Sequence, residues 1–247
     1  MQKAFSYFVF ISLIFTSCTF VSELSTAIVE ETKGISSDLK TKQYEKEKDS
    51  ENWNTLELDT AKDIEYLTYI EKNVILEMNK VRSNPKKYAE LYIETRLKNY
   101  SGKEYITGAG TIITEEGRKA VEECVNSLKR NSELGKLVPE SSLYYLAKEH
   151  VDLQGPTGQT GHNSPSGDSF QKRASRFIDN TIRNYGENIA YGSTSAREIV
   201  VSLLIDDGVP SRGHRKNIMN GQFNVVGVCY GKHKKYGSMC VIDFGKR

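Results

Sequence analysis

Cysteine is scarce in this chain: four occur in 247 residues. Cys124, Cys229 and Cys240 are the three beyond position 18, an odd number that admits at most one internal disulfide. Strong charge of one sign is also lacking, since the net charge is +2. The balance is uneven along the chain: residues 19–60 hold ten acidic and five basic residues, which leaves residues 61–247 at +6. No Lys/Arg stripe interleaves with aromatics, so nucleic acid is not an expected partner. There is no H-E-x-x-H, and no Ser or Cys stands beside a His in a nucleophile setting. No internal repeat is visible. The one long apolar run, Ala4 to Phe15, is too short to span a bilayer comfortably, which takes about 20 residues.

That run, with Lys3 before it, reads as an export signal over residues 1–17. It ends in "FTSC": small Thr16 and Ser17 precede Cys18, the pattern of a bacterial lipoprotein signal, although Phe15 stands where Leu is more usual. Cys18 is thus the expected lipidation site, its acyl chains holding the protein on a lipid bilayer without crossing it. The alternative is an ordinary cleaved signal and a secreted product. Either way the expected location is extracytoplasmic, at a bacterial membrane on its periplasmic or outer side, or beyond it. Residues 18–58 lack a sustained apolar period ("KTKQYEKEKDSEN") and read as a flexible acidic tether, with a short solvated helix around 38–50 as the alternative.

Periodic apolar residues begin after Asp59. Ile64, Leu67, Ile70, Val74, Met78 and Val81 predict an amphipathic helix, stopped at "SNP", where Asn84 caps and Pro85 opens the next helix. Residues 100–113 read as a small β-hairpin or loop insert. Further helices are predicted from Thr114, from Pro139 to Gly155, and after a Ser195/Glu198 capping box, with Gly208 closing the last. Residues 155–169 are a Gly/Ser/Thr/Pro-rich loop. "NYGENIAYG", "NVVGVCYG" and "SMCVIDFG" are strands, the last two around a Lys-rich turn across which Cys229 and Cys240 could face each other. The mix predicts one α/β layered domain over residues 59–247.

Four segments carry groups suited to chemistry: His162 in "TGHNSPSGD", Glu187 in "YGENIAYG", Asp206 and Asp207 in "LLIDDG", and His214 in "PSRGHRKNI". Two carboxylates at a helix C-terminus face the negative end of its dipole and need a cation, a proton or donors nearby. Neutral imidazole is the commonest protein ligand for borderline metals, and a carboxylate often orients it. His150 lies on an apolar helix face and reads as a core histidine or one supporting the site.

The run "LAKEHVDL … GH … GENIAYG … AREIVVSLLIDDGVPSRGHRKNIM … VIDFG" resembles the CAP superfamily of cysteine-rich secretory, antigen 5 and pathogenesis-related proteins, bacterial branch, over about residues 64–245. The resemblance implies a three-layer α-β-α sandwich whose cleft holds two histidines and two acids and, in several members, zinc or another divalent cation. By position, His162 and His214 are the metal ligands, with Glu187 and Asp206 supporting them. Asp206 stands where Glu is usual, and helical phase makes Asp207 its rival. The family's disulfides are absent, so apolar burial must hold the sheet. Three readings stay open: a binding module for a lipid, sterol or protein ligand; a metal-assisted hydrolase, peptidase-like, with Glu187 as catalytic base; or a polar network of structural value alone.

Overall fold

The computed structural model describes residues 53–108 and 110–247; Cys18, the signal and most of the tether lie outside them. After a short α1 (Thr55–Leu58), the first long helix is α2, Tyr69–Ser83. It starts five residues later than the apolar period alone predicts. Thr68 is a stronger start signal, because Glu71 reaches back to accept its backbone N–H and its hydroxyl at 2.6 and 2.7 Å. Asn84 then caps α3 (Pro85–Tyr88) by accepting from Lys87 N at 2.9 Å. This helix continues as a π turn (Ala89–Ile93) and a 3-10 turn (Glu94–Asn99). The insert forms a small antiparallel sheet of β1 (Tyr100–Ser101), β2 (Glu104–Thr107) and β3 (Gly110–Ile113).

Helix α4 spans Arg118–Arg130, not from Thr114, because Gly117 at φ +69° breaks the helical path just before it. Pro139 lies in the two-residue strand β4 (Val138–Pro139), and α5 follows at Ser141–Gln154. The short α6 (Phe170–Ala174) leads to β5 (Arg183–Tyr191), α7 (Ala196–Ile205) and α8 (Gly213–Ile218). The chain then forms β6 (Val225–His233) and β7 (Gly237–Lys246). The expected capping box before α7 does not form: Ser195 makes no side-chain cap bond, and Glu198 instead takes a bidentate pair from Arg96.

The main sheet runs β4-β6-β7-β5, with β4 parallel to β6 and the other pairs antiparallel. Alternation along β6 and β7 divides the apolar residues between two layers. Val226, Val228, Cys240, Ile242 and Phe244 pack with Val74, Val121 and Val200 of α2, α4 and α7. Cys229, Met239 and Val241 pack with Ala147 and Val151 of α5 on the other face. The result is an α-β-α sandwich. Its α5 side is very close: a Cβ on Gly227 would lie 2.1 Å from backbone atoms of Leu143 and Tyr144.

The same alternation corrects the cross-hairpin cysteine expectation. Cys229 pairs with Val241, and Cys240 with Tyr230. The two cysteines are one register step apart and point to opposite faces. Cys124, Cys229 and Cys240 are all free and buried.

Candidate functional site

The carboxylate between two glycines is buried. Glu187 follows Gly186, where the edge strand β5 takes up its regular pairing with β7, and points to the α5 face, with its side chain 1% exposed. Such an isolated charge would be prohibitively costly to bury without a partner. Its partner is Arg173 of α6, itself 0% exposed, whose Nη2 donates to Glu187 Oε2 and Oε1 at 2.6 and 2.8 Å. Arg173 Nη2 also donates to the backbone carbonyl of His162 at 3.0 Å. Glu187 Oε1 accepts from His162 Nδ1 at 2.8 Å. A carboxylate can only accept, so a proton sits on Nδ1 of this half-exposed ring, and in the neutral imidazole the free lone pair is the one on Nε2.

His162 is held in its loop through its neighbour. Gly161 turns at φ +97°, and its carbonyl accepts from His150 Nε2 and Gln154 Nε2 at 2.9 and 2.8 Å. Its N–H donates to Tyr191 Oη at 2.9 Å. His150 is fully buried, and burial holds its imidazole below the usual pKa. It is therefore a neutral support behind the loop.

The second histidine is built in the same way. Asp206 ends α7 in the left-handed region at φ +58°. Its carboxylate accepts from His214 Nδ1 at 2.6 Å and from His214 N at 3.0 Å. Asp207 turns elsewhere and accepts from the backbone N–H groups of Glu115 and Glu116 at 2.7 and 2.8 Å. Each acid at the negative helix end thus receives two donors, the compensation that its position demands. Arg215 covers the freed α7 carbonyls, donating to Leu204 O at 2.6 Å, and pairs with Glu123.

Two histidine–carboxylate pairs are therefore present, and β5 touches both. Glu187 points to the α5 face, and Asn188 to the opposite one. There Asn188 Nδ2 donates to His214 O at 2.9 Å, and Asn217 Nδ2 donates to Asn188 Oδ1 at 2.8 Å. Adjacent strand residues link the pairs through main chain and amide. Among the described residues, no group of three or more His, Cys, Asp or Glu is arranged to hold a metal ion. Each of the two imidazoles is backed by a carboxylate on Nδ1, the kind of support that accompanies histidine metal ligands.

Sequence reasoning did not identify Arg173 or Asp243. The signal for Arg173 was chemical: a carboxylate in an apolar strand requires a cation, and "FQKRASRF" places Arg173 in phase with Phe170. Its guanidinium carbon lies 5.5 Å from that ring's centroid. Asp243 lies in "VIDF" as the one acid among apolar neighbours, directly opposite Glu187 in the ladder.

The family model of the cysteine-rich secretory protein family, CAP, matches residues 122–244. No curated protein matches the chain. Among solved structures, an outer surface protein from Borrelia burgdorferi is 24% identical with TM-score 0.39, the match covering 46% of this chain and 80% of that one. An extracellular protein containing an SCP domain from Bacillus anthracis is 22% identical with TM-score 0.37, covering 53% of this chain and 38% of that one. Venom allergen-like protein 4 from Schistosoma mansoni is 15% identical with TM-score 0.40, covering 73% of this chain and 90% of that one. With the family's residues matched from α4 through β7, this chain belongs to the cysteine-rich secretory protein, or CAP, family.

Proposed function

We propose that this CAP protein is an extracytoplasmic binding module that presents His162 and His214, and not a hydrolase. The observation that carries this reading is the state of Glu187. A general base must reach a proton on substrate or water, whereas both Glu187 oxygens are engaged by Arg173 and one also by His162, with the side chain 1% exposed. Glu187 therefore orients His162 and does not act as a base. The names of the Borrelia and Bacillus proteins, an outer surface and an extracellular protein, agree with a location outside the cytoplasm.

His162 and His214 are the residues that would hold zinc or another divalent cation through Nε2. Such an ion, when bound, supplies open coordination positions for an anionic or carbonyl group of a ligand. Two protein nitrogens are fewer than the three ligands usual in catalytic zinc sites, which also favours binding over turnover. The purified protein should release no product above background from a panel of peptides and esters; turnover that vanishes in Glu187→Gln would overturn the reading. Calorimetric zinc titration should show binding that disappears in the His162→Ala/His214→Ala double variant. Equal heats in both proteins would remove the metal site and leave two structural histidine–carboxylate hydrogen bonds.

The reading includes anchoring through acyl chains on Cys18, as its position after a short apolar signal suggests. Cells fed radioactive palmitate should label the wild-type protein but not Cys18→Ala. Release of both forms unlabelled into the medium would replace anchoring with secretion.

A further inference from the structure

Around Glu187, three buried side chains carry polar atoms with no protein partner: Arg173 Nε and Nη1, both carboxyl oxygens of Asp243, and His150 Nδ1. All three residues are 0% exposed. They come from three elements that meet on one face of the sheet: α6, β7 and α5. Asp243 is the register partner of Glu187, so the two side chains lie side by side. Arg173 and Glu187 are electrostatic neighbours of both Asp243 and His150. On the β6 side, the residue opposite Asp243 is Gly227, over which the backbone of α5 at Leu143 and Tyr144 packs and closes that side.

Buried polar atoms are nearly always satisfied, and here the unsatisfied ones are complementary. Arg173 offers only donors, His150 Nδ1 only an acceptor, and Asp243 oxygens on both sides. A cation would be repelled by the guanidinium, and an anion by Glu187. Hydrocarbon would strand every one of these atoms. Water both gives and takes hydrogen bonds, and it fills such sites in protein interiors. We propose that Arg173, Asp243 and His150 enclose a buried water site beneath Glu187, and that Asp243 acts through it as a positioning residue for the Arg173–Glu187–His162 chain.

Charge balance gives the protonation state. One guanidinium and one carboxylate already cancel in this interior, and His150 is neutral. A second carboxylate would leave an uncompensated buried charge, so Asp243 keeps its proton. Burial first, and then the charge of Glu187, push its carboxyl well above the usual range, with Arg173 opposing. An unfolded Asp ionises near pH 4. The stability that the neutral acid contributes is therefore complete below that pH, and it is lost as pH rises toward the folded-state value.

A high-resolution crystal structure of the wild-type chain should show an ordered water bonded to both Asp243 and Arg173 Nε or Nη1. Direct Arg173–Asp243 contact, or a dry site, would overturn the proposal. Infrared difference spectra should show a protonated-carboxyl stretch that is lost in Asp243→Asn; no such band in the wild type would overturn the neutral acid. The decline of stability with pH above 4 should flatten in Asp243→Asn, and an unchanged slope would count against it. In ¹⁵N-histidine spectra at one pH, Asp243→Asn should keep the His162 Nδ1–H signature and Asp243→Leu should lose it, with His214 unmoved in both. A His162 signal untouched by Leu would remove the positioning role. The crystal and infrared tests decide the matter even if the Leu variant does not fold, and neither depends on whether a metal binds in the cleft.

Discussion

Arg173→Met should destabilise the domain by about 3–5 kcal/mol, the cost of removing one member of a buried ion pair. For a domain of this size that is on the order of a 10 °C fall in Tm. Arg173 and Glu187 are 0% and 1% exposed, so solvent can neither screen the pair nor replace the lost partner. The methionine matches much of the aliphatic volume and leaves Glu187 with one side-chain donor, His162. The carbonyl of His162 also loses its 3.0 Å donor, so the loop carrying that ring should loosen along with the core. The double variant Arg173→Met/Glu187→Gln should lose clearly less than the sum of the single variants, because a neutral amide has no stranded charge. Denaturant unfolding of the four proteins gives the coupling directly. Additive losses, or a fall under 1 kcal/mol for Arg173→Met, would mean that the pair does not hold the site.

The second large effect is expected at Arg82. This arginine is 1% exposed and donates only to backbone carbonyls: Gly135 at 2.8 Å, Ile218 at 2.8 Å, Asn220 at 3.0 Å and Phe223 at 2.9 Å. Burial lowers its pKa to about 10, which still leaves it charged at neutral pH. Its five-donor fork ties the end of α2 to the turn between α8 and β6, a job that no other side chain has the geometry to do. Arg82→Met strands at least the two fully buried carbonyls, at about 1–3 kcal/mol each, and should cost about 2–6 kcal/mol. Arg82→Lys should recover little, since one ammonium cannot span four acceptors. Arg118→Met, on an exposed i,i+4 pair with Glu122, is the control and should change stability by less than about 0.5 kcal/mol. Because α8 carries His214, loss of Arg82 should also weaken any ligand binding there. An Arg82→Met protein as stable as the control would show that water can replace the whole fork.

The elements were legible wherever local chemistry is decisive. Asn84 with Pro85 marked a helix start, and the alternation in "NVVGVCYG" and "SMCVIDFG" marked buried strands. Legibility failed where a distant group wins. Ser195 and Glu198 have capping-box spacing, but Arg96, about a hundred residues away in sequence, offers Glu198 a bidentate partner. Thr114 looked like a helix start, but Gly117 at positive φ and the carboxylate of Asp207 reorganise that turn. Helical phase favoured Asp207 over Asp206 as the partner of the histidine, and it misled because phase stops having meaning once Asp206 enters the left-handed region.

From the residues alone came the alternation of helices and strands, the family resemblance, and two histidines with acids near them in pattern. These depend on periods of two and 3.6 residues and on short motifs, which are local properties of the chain. Tertiary structure decided which carboxylate serves which imidazole, which cation neutralises Glu187, and which face each cysteine takes. Those outcomes depend on the cost of burying a charge or shifting a strand by one residue, and both are settled only when distant segments close around the same volume.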